Sequence, residues 1–338
     1  MREILELVVA RRSLSQEQAR QAMQTIMDGQ ATPAQVAGFL VALRMKGETA
    51  EEVAGMAQAM RAKALRVEVP FPLLDTCGTG GDRAGTFNFS TAAAIVCAAA
   101  GAKVAKHGNR AVSSASGSAD LLEACGVRIA LGPEGVAQCI REVGIGFCFA
   151  PVFHPAMKHA APVRRELGIR TVFNILGPLT NPAGAQFQVL GVADPGMGEM
   201  LAQVLRLLGV RRAWVVHGED GLDELTLCAP TRVWDVQTDG LRFFTLTPEG
   251  VGLPRARPED LKGGTPQENA QRLWALLKGE RGPLRDGVVL NAGAGLVVYG
   301  LAGTLAEGIR LAQEAVDSGR AGALLERWVA VSQRVGGG

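Results

Sequence analysis

Through the first 67 residues, apolar side chains recur at helical spacing: Ala19, Met23, Ile26 and Met27, then Val36, Phe39, Leu40 and Leu43, then Val53, Met56 and Met60. Each run follows a helix-start signature: Ser15–Gln18, Thr32–Gln35 with Pro33 at the first helical position, and Thr49–Glu52. In such a box the hydroxyl accepts a backbone N–H of the first turn and the longer side chain reaches back to the cap. The pattern predicts a compact helical unit. It holds no His, Cys, Tyr or Trp, so packing or a subunit contact is its expected task, and its methionines are expected in the core. From residue 70 the period changes. Short apolar runs at 71–76, 103–106, 145–149, 187–192 and 212–217 alternate with helical patterns from about 90 and at 118–125, 133–143, 155–167 and 196–208. That alternation predicts an α/β domain with a mostly parallel sheet and helices on both faces. A hairpin at 231–245, a Pro/Gly-rich connector at 248–265 and helices from the box Thr265–Glu268 complete the chain. The Gly/Pro-rich stretch 174–186 reads as a hinge or as a return to the helical unit. The expected organisation is a small helical domain, 1–67 with a return at about 163–188, and a large α/β domain, 70–162 and 189–338.

A length of 338 residues fits roughly two domains and buries enough surface to need no disulfide or metal staple. Lys and Arg number 35 against 33 Asp and Glu, a net +2 that argues against a polyanion-coating protein or an acidic tail. The 43 glycines, well above the usual share of about 7%, point to many tight turns and close backbone approaches. Six cysteines without a C-x-x-C pair or zinc spacing read as reduced intracellular thiols. No signal peptide is expected. The uncharged stretches 84–102 and 287–306 are too rich in Gly, Ala and polar residues for a lipid-facing helix. They are expected as buried helices and loops of a cytoplasmic protein.

The segment Asp75-Thr-Cys-Gly78-Thr79-Gly80-Gly81-Asp82 follows the first strand, where open α/β sheets bind ligands. Its glycines allow positive φ and leave successive N–H groups bare, as an anion nest or simply as a tight turn. Asn88, Ser90 and Thr91 open the next helix, whose N-terminus also favours phosphate. The dinucleotide fingerprint fails at Arg83, and no Gly-Lys pair exists for a Walker loop. Next come Lys106, His107, Gly108, Asn109 and Arg110, then Ala111, Val112, Ser113, Ser114 and Ser118, a donor-rich loop that suits a polyanion or is merely solvated. Asp223-Glu224 after the strand 212–217 is a solvated pair, or a magnesium site if a diphosphate binds opposite. His154 and Lys158 are four apart and expected on one helix face, with Arg164 further along. That Arg could grip a carboxylate in bidentate fashion or lie in water. No nucleophile elbow and no evident acid–base pair is present.

In this order the motifs Gly78-Thr-Gly-Gly-Asp82, Asn88-x-Ser90-Thr91, Lys106-His-Gly-Asn-Arg110, the Arg164 helix and Asp223-Glu224 resemble those of the anthranilate phosphoribosyltransferases of tryptophan biosynthesis. The resemblance spans essentially the whole chain and departs at Arg83 and Phe89, where glycine and an aliphatic residue are common. It implies the two-domain fold shared with pyrimidine nucleoside phosphorylases, a homodimer formed through the helical domain, and magnesium. It also implies that phosphoribosyl diphosphate is held by Gly78, Gly81, Asp82, Thr86, Asn88, Ser90, Thr91, Lys106, the loop from His107 through Ser114, and Ser118. Ser90, Asp223 and Glu224 would ligate metal; Asn109 and Arg164 would meet anthranilate, with Gly78, His107, His154, Gly177 and Pro178 along its path. An aryl amine is neutral at pH 7, so catalysis would rest on positioning and charge neutralisation rather than on a strong base. Closure about 67–70 and 174–188 would bring the substrates together. A pyrimidine nucleoside phosphorylase or a non-enzymatic nucleic-acid-binding relative of the same fold are the alternatives. The Gly108-Asn109 pair speaks against the first, and the intact motifs and near-neutral charge speak against the second.

Overall fold

The structure, a computed structural model, describes residues 1–111 and 115–337. Each N-terminal box closes as a reciprocal pair of hydrogen bonds, with Ser15, Thr32 and Thr49 capping the helices Gln16–Met27, Pro33–Lys46 and Ala50–Lys63. The third box is also a buried ion pair: Glu52 accepts Leu14 and Thr49 N–H and the Lys46 ammonium, at 2.8, 2.8 and 2.9 Å. A β-carbon at Gly55 would collide with the backbone of Gln16, so the first and third of these helices pack closely because that residue is glycine. Met23, Met27, Met56 and Met60 are buried as expected. Ala160, Val163, Val172, Phe173, Leu176 and Leu179 join the same apolar cluster, which seats the segment 160–179 against the N-terminal helices.

The α/β region is built on seven strands: β1 Leu74–Gly78, β2 Val104–Gly108, β3 Ile145–Phe149, β4 Phe187–Gly191, β5 Arg212–Gly218, β6 Thr231–Gln237 and β7 Gly240–Leu246. Their order is β3-β2-β1-β4-β5-β6-β7. The first five are parallel, and β6 and β7 form the expected antiparallel hairpin. Strand alternation sends Leu190, Ala213 and Val215 into the cluster shared with the helical unit, while Val189, Trp214 and Val216 enter a second cluster on the other face. In that second cluster lie the helices Phe89–Ala99 and Pro283–Tyr299, the two uncharged stretches, both largely buried. Among the described residues no helix is long and apolar enough to cross a membrane.

Two local expectations need correction, and proline is the reason for both. The first strand starts at Leu74 rather than 71, because Pro70 and Pro72 cannot donate to a ladder. The single helix expected over 155–167 is two short pieces, a 3-10 turn Pro155–His159 and a helix Ala161–Leu167, preceded by a one-turn helix Ala150–Phe153. Pro155 and Pro162 lack an N–H, so each sits in the first turn of a new helical piece rather than inside one helix, and Pro155 pushes the residue before it out of the helical region. His154 therefore sits at φ −118°, ψ 62° and is buried, while Lys158 is exposed, so the two share no helix face.

Candidate active site

The chain leaves β1, β2 and β3 in one direction and returns as β4 on the far side of β1, so the strand order reverses between β1 and β4. Crevices form at such a point beyond the strand ends. Gly78 and Gly191 stand abreast there. A β-carbon on Gly78 would strike the Asp223 carboxylate, and one on Gly191 would strike the Asp223 backbone. The two glycines thus admit Asp223 into the glycine loop, where Gly80 N–H donates to its Oδ2 at 2.8 Å. Thr79 N–H is likewise taken, by the Gly191 carbonyl at 2.9 Å. Gly80 and Gly81 have φ of 63° and 90°, and Arg83 adopts φ 57°, a left-handed position that favours glycine. Asp82 accepts from Ala84 N–H at 3.3 Å, and Thr86 forms a bridge with Lys262 that pins the loop's far end.

Glu224 joins the start of the helix Phe89–Ala99 by accepting Ser90 N–H at 3.2 Å. Asn88 does not cap this helix with its side chain; it donates to Ser116 O at 2.9 Å and accepts from Asn269 at 3.0 Å. Thr91 is buried one residue on. The Lys106 ammonium, buried at the end of β2, donates to Thr76 O at 2.5 Å and to Ser90 Oγ at 3.5 Å. Burial first, then the neighbouring Asp82 carboxylate, raises the pKa of Asp223; burial first, then Asp223, raises that of Glu224. The adjacent pair is thus no solvated loop ornament. Among the described residues no three His, Cys, Asp or Glu side chains converge as a self-sufficient metal cage.

On the other side of Lys106, His107 and His154 face each other with Nε2 atoms 3.2 Å apart. His107 also bonds the Gly177 backbone and His154 the Thr180 backbone, which brings the Gly177-Pro178 turn to the imidazoles. Burial drives His107 down to about 3 and His154 down to about 4, so both rings are neutral at pH 7. Arg164 is half-buried, its guanidinium 5.0 Å from the centre of the Phe173 ring. Phe173 opens the turn Phe173–Leu176 that runs into Gly177. Past β2, Asn109 O accepts Ser118 Oγ at 3.2 Å, and Gly108 packs on Ser118 where a β-carbon would not fit. Arg110 turns to Asp120 and Glu123, at 2.9 and 2.8 Å, and Ala111 N–H donates to Asp120 at 2.9 Å. Val112, Ser113 and Ser114 lie outside the described residues.

Three supporting residues carry no motif. Buried Asp75 accepts His107 N–H at 3.2 Å and the Asn181 amide at 2.8 Å, and Asn181 also donates to Ala105 O at 2.8 Å. Asn291 holds the 223–225 turn through Leu225 N–H and O, at 3.1 and 2.9 Å. The available signal was rarity, since Asn291 is the one asparagine in an uncharged helical stretch and must find buried partners.

Residues 2–64 match the helical bundle domain of a glycosyl transferase family, and residues 71–322 match that family's a/b domain. A helical bundle joined to an α/β domain with a mostly parallel sheet is the architecture of this class of transferases. Anthranilate phosphoribosyltransferase of Chloroflexus aggregans is 56% identical over 335 residues, spanning 98% of each chain. The crystal structure of anthranilate phosphoribosyltransferase from Thermus thermophilus superposes with a TM-score of 0.93 at 53% identity, covering 98% of this chain and 99% of that one. The Saccharomyces cerevisiae enzyme, solved in complex with PRPP and Mg, gives 0.88 at 31% identity over 95% and 94%. The chain belongs to the anthranilate phosphoribosyltransferase family.

Proposed function

We infer that this chain transfers the phosphoribosyl group of phosphoribosyl diphosphate to the amine of anthranilate, giving N-(5-phosphoribosyl)anthranilate and diphosphate in tryptophan biosynthesis. The carrying observation is the crevice at the β1–β4 switch point, where the glycine loop, Lys106, Asp223 and Glu224 meet. In our reading Gly78, Gly81, Asp82, Thr86, Asn88, Ser90, Thr91 and the segment from Lys106 through Ser118 hold phosphoribosyl diphosphate. Asn109 and Arg164 receive anthranilate, beside His107, His154, Gly177 and Pro178.

Magnesium fits the donor set. Burial and neighbouring carboxylates, Asp82 for one and Asp223 for the other, raise the pKa values of Asp223 and Glu224; Lys106 opposes this at Glu224, and the pair calls for further positive charge. Asp223, Glu224 and Ser90 would hold the ion, with phosphate oxygens and water completing its shell, as magnesium prefers. When bound, it neutralises charge on the departing diphosphate. The chain's own residues do the rest. Lys106 adds a fixed positive charge at the end of β2, and the glycine loop, whose Thr79 and Gly80 N–H groups are taken by Gly191 and Asp223, offers phosphate oxygens its backbone from Gly81 onward. Arg164, which forms no ion pair with a carboxylate among the described residues, offers its fork to the anthranilate carboxylate, leaning on Phe173. The neutral imidazoles line the aryl ring's path without adding charge. As the C1′–O bond to diphosphate breaks, the amine nitrogen bonds C1′ and one amine proton leaves. That nitrogen is already uncharged at pH 7, so alignment rather than a strong base governs the step.

The helical unit exposes Val9 and Met45, each 69% accessible, which supports a homodimer through this domain. Sedimentation at twice the chain mass checks it. The domain division 1–67 with 163–188, against the remainder, and a cytoplasmic location complete the reading. Loss of anthranilate fluorescence with phosphoribosyl diphosphate and magnesium tests the reaction. The Asp223→Asn/Glu224→Gln double variant is expected to lose about 10²-fold or more in kcat/KM. No turnover by the folded parent would reject the function; full turnover by the variant would reject the metal assignment.

A further inference from the structure

Two arginines beside the glycine loop and its neighbouring donor-rich loop, Arg110 and Arg170, are deployed in opposite ways. Arg110 is held by Asp120 and Glu123. Arg170, in the exposed link between Ala161–Leu167 and Phe173–Leu176, has no carboxylate within ion-pair distance among the described residues. Its guanidinium instead rests on Gly81, where a β-carbon would collide with Nη1, and donates to the Gly80 carbonyl at 3.4 Å. Gly80 is thus held from two sides, by a cation on its carbonyl and by the Asp223 carboxylate on its N–H. The Arg170 carbonyl in turn accepts from the Arg44 guanidinium, which belongs to the helix Pro33–Lys46. Contacts therefore run from the N-terminal helical unit through two arginines to the loop.

We propose that Arg170 is a positioning residue for the diphosphate, setting the glycine loop from above and presenting an unpaired guanidinium there, with Arg44 coupling that setting to the helical unit. This rests on the phosphoribosyl transfer inferred above. The loop and its neighbours bring three carboxylates, Asp82, Asp223 and Glu224, against the single buried cation Lys106. A polyanion entering there needs more positive charge, and a guanidinium fork matches phosphate oxygens in shape as well as in sign.

The test compares steady-state kinetics of R170A, R170K, R44A and R44A/R170A, with calorimetric binding of phosphoribosyl diphosphate and magnesium to each. R170A is expected to raise KM for phosphoribosyl diphosphate about tenfold or more and to weaken its binding equally, with KM for anthranilate changed less than about twofold. R170K should recover part of the loss. R44A should act in the same direction more weakly and add nothing in the R170A background. Unchanged diphosphate binding in R170A, or equal rises in both KM values, overturns the proposal. A parent that binds phosphoribosyl diphosphate without consuming anthranilate overturns the inferred reaction instead, while the binding comparison still decides the part played by Arg170.

Discussion

The imidazole side of the crevice, with His107 and His154, is buried, and its carboxylate side, with Asp82, Asp223 and Glu224, is half-buried. Burial is the largest influence on Asp223, Glu224 and both histidines, and it drives all four toward neutrality. Their bonding differs. The imidazoles bond each other and the backbone of Gly177 and Thr180, so their polar atoms are met within the chain. Asp223 accepts Gly80 N–H and Glu224 accepts Ser90 N–H, while Asp82 raises the pKa of Asp223 and Asp223 that of Glu224. Desolvation thus yields a finished wall on one side and, on the other, carboxylates whose charge Lys106 offsets only in part.

Removing the fixed cation breaks this contrast most strongly. Lys106→Met keeps the bulk but not the charge, and kcat/KM in the fluorescence assay is expected to fall about 10²–10³-fold. A loss confined to thermal stability would reduce Lys106 to a packing residue.

The imidazole side answers to pH. The folded values near 3 and 4 lie below the ordinary 6.5, so between these limits the unfolded chain binds protons that the folded chain refuses. The stabilisation is complete above 6.5 and is lost as pH falls. Each ring contributes a slope of about 1.4 kcal/mol per pH unit. Asp223 and Glu224, whose pKa values burial raises, slope the other way over the same range, so the test is the difference between parent and His154→Gln in urea unfolding at several pH values. As pH falls, that difference should narrow by about 1.4 kcal/mol per pH unit between 6.5 and about 4, and a difference that does not change with pH would show that the ring titrates freely.

Asn291 tests how the acidic turn is held. Asn291→Ala leaves Leu225 N–H and O without their buried partner and should destabilise by about 1–3 kcal/mol in denaturant titration. The smallest effect belongs to Arg83, at φ 57° in the glycine loop. Arg83→Gly relieves the left-handed strain and, after the greater freedom of glycine when unfolded, should gain about 0.5–1 kcal/mol. A measured loss would mean that the Arg83 side chain does unseen work.

Much of this molecule was legible in the order of its residues. The Ser15, Thr32 and Thr49 boxes are local hydrogen-bond patterns, so they appear in the structure as written. The Gly78–Asp82 loop carries positive φ at Gly80 and Gly81, which glycine tolerates. The helix expected at 155–167 failed because periodicity was read through Pro155 and Pro162, whose missing N–H groups outweigh it. Asn88 reads as an ordinary helix cap, yet its side chain ties a distant loop to a distant helix, Ser116 on one side and Asn269 on the other.

What the sequence alone determined is therefore the set of elements, their alternation and the residue types able to meet phosphate, carboxylate and a divalent ion, all properties of neighbours a few bonds apart. The tertiary structure decided which of those groups meet. It put Asp223 between Gly78 and Gly191, set His154 against His107, took Arg110 away to Asp120 and Glu123, and laid Arg170 on Gly81. Those pairings join residues far apart in the chain and depend on which strand lies beside which. Periodicity reports whether a side chain faces inward, but only the sheet order and the close approach of two backbones at a glycine decide what it finds there.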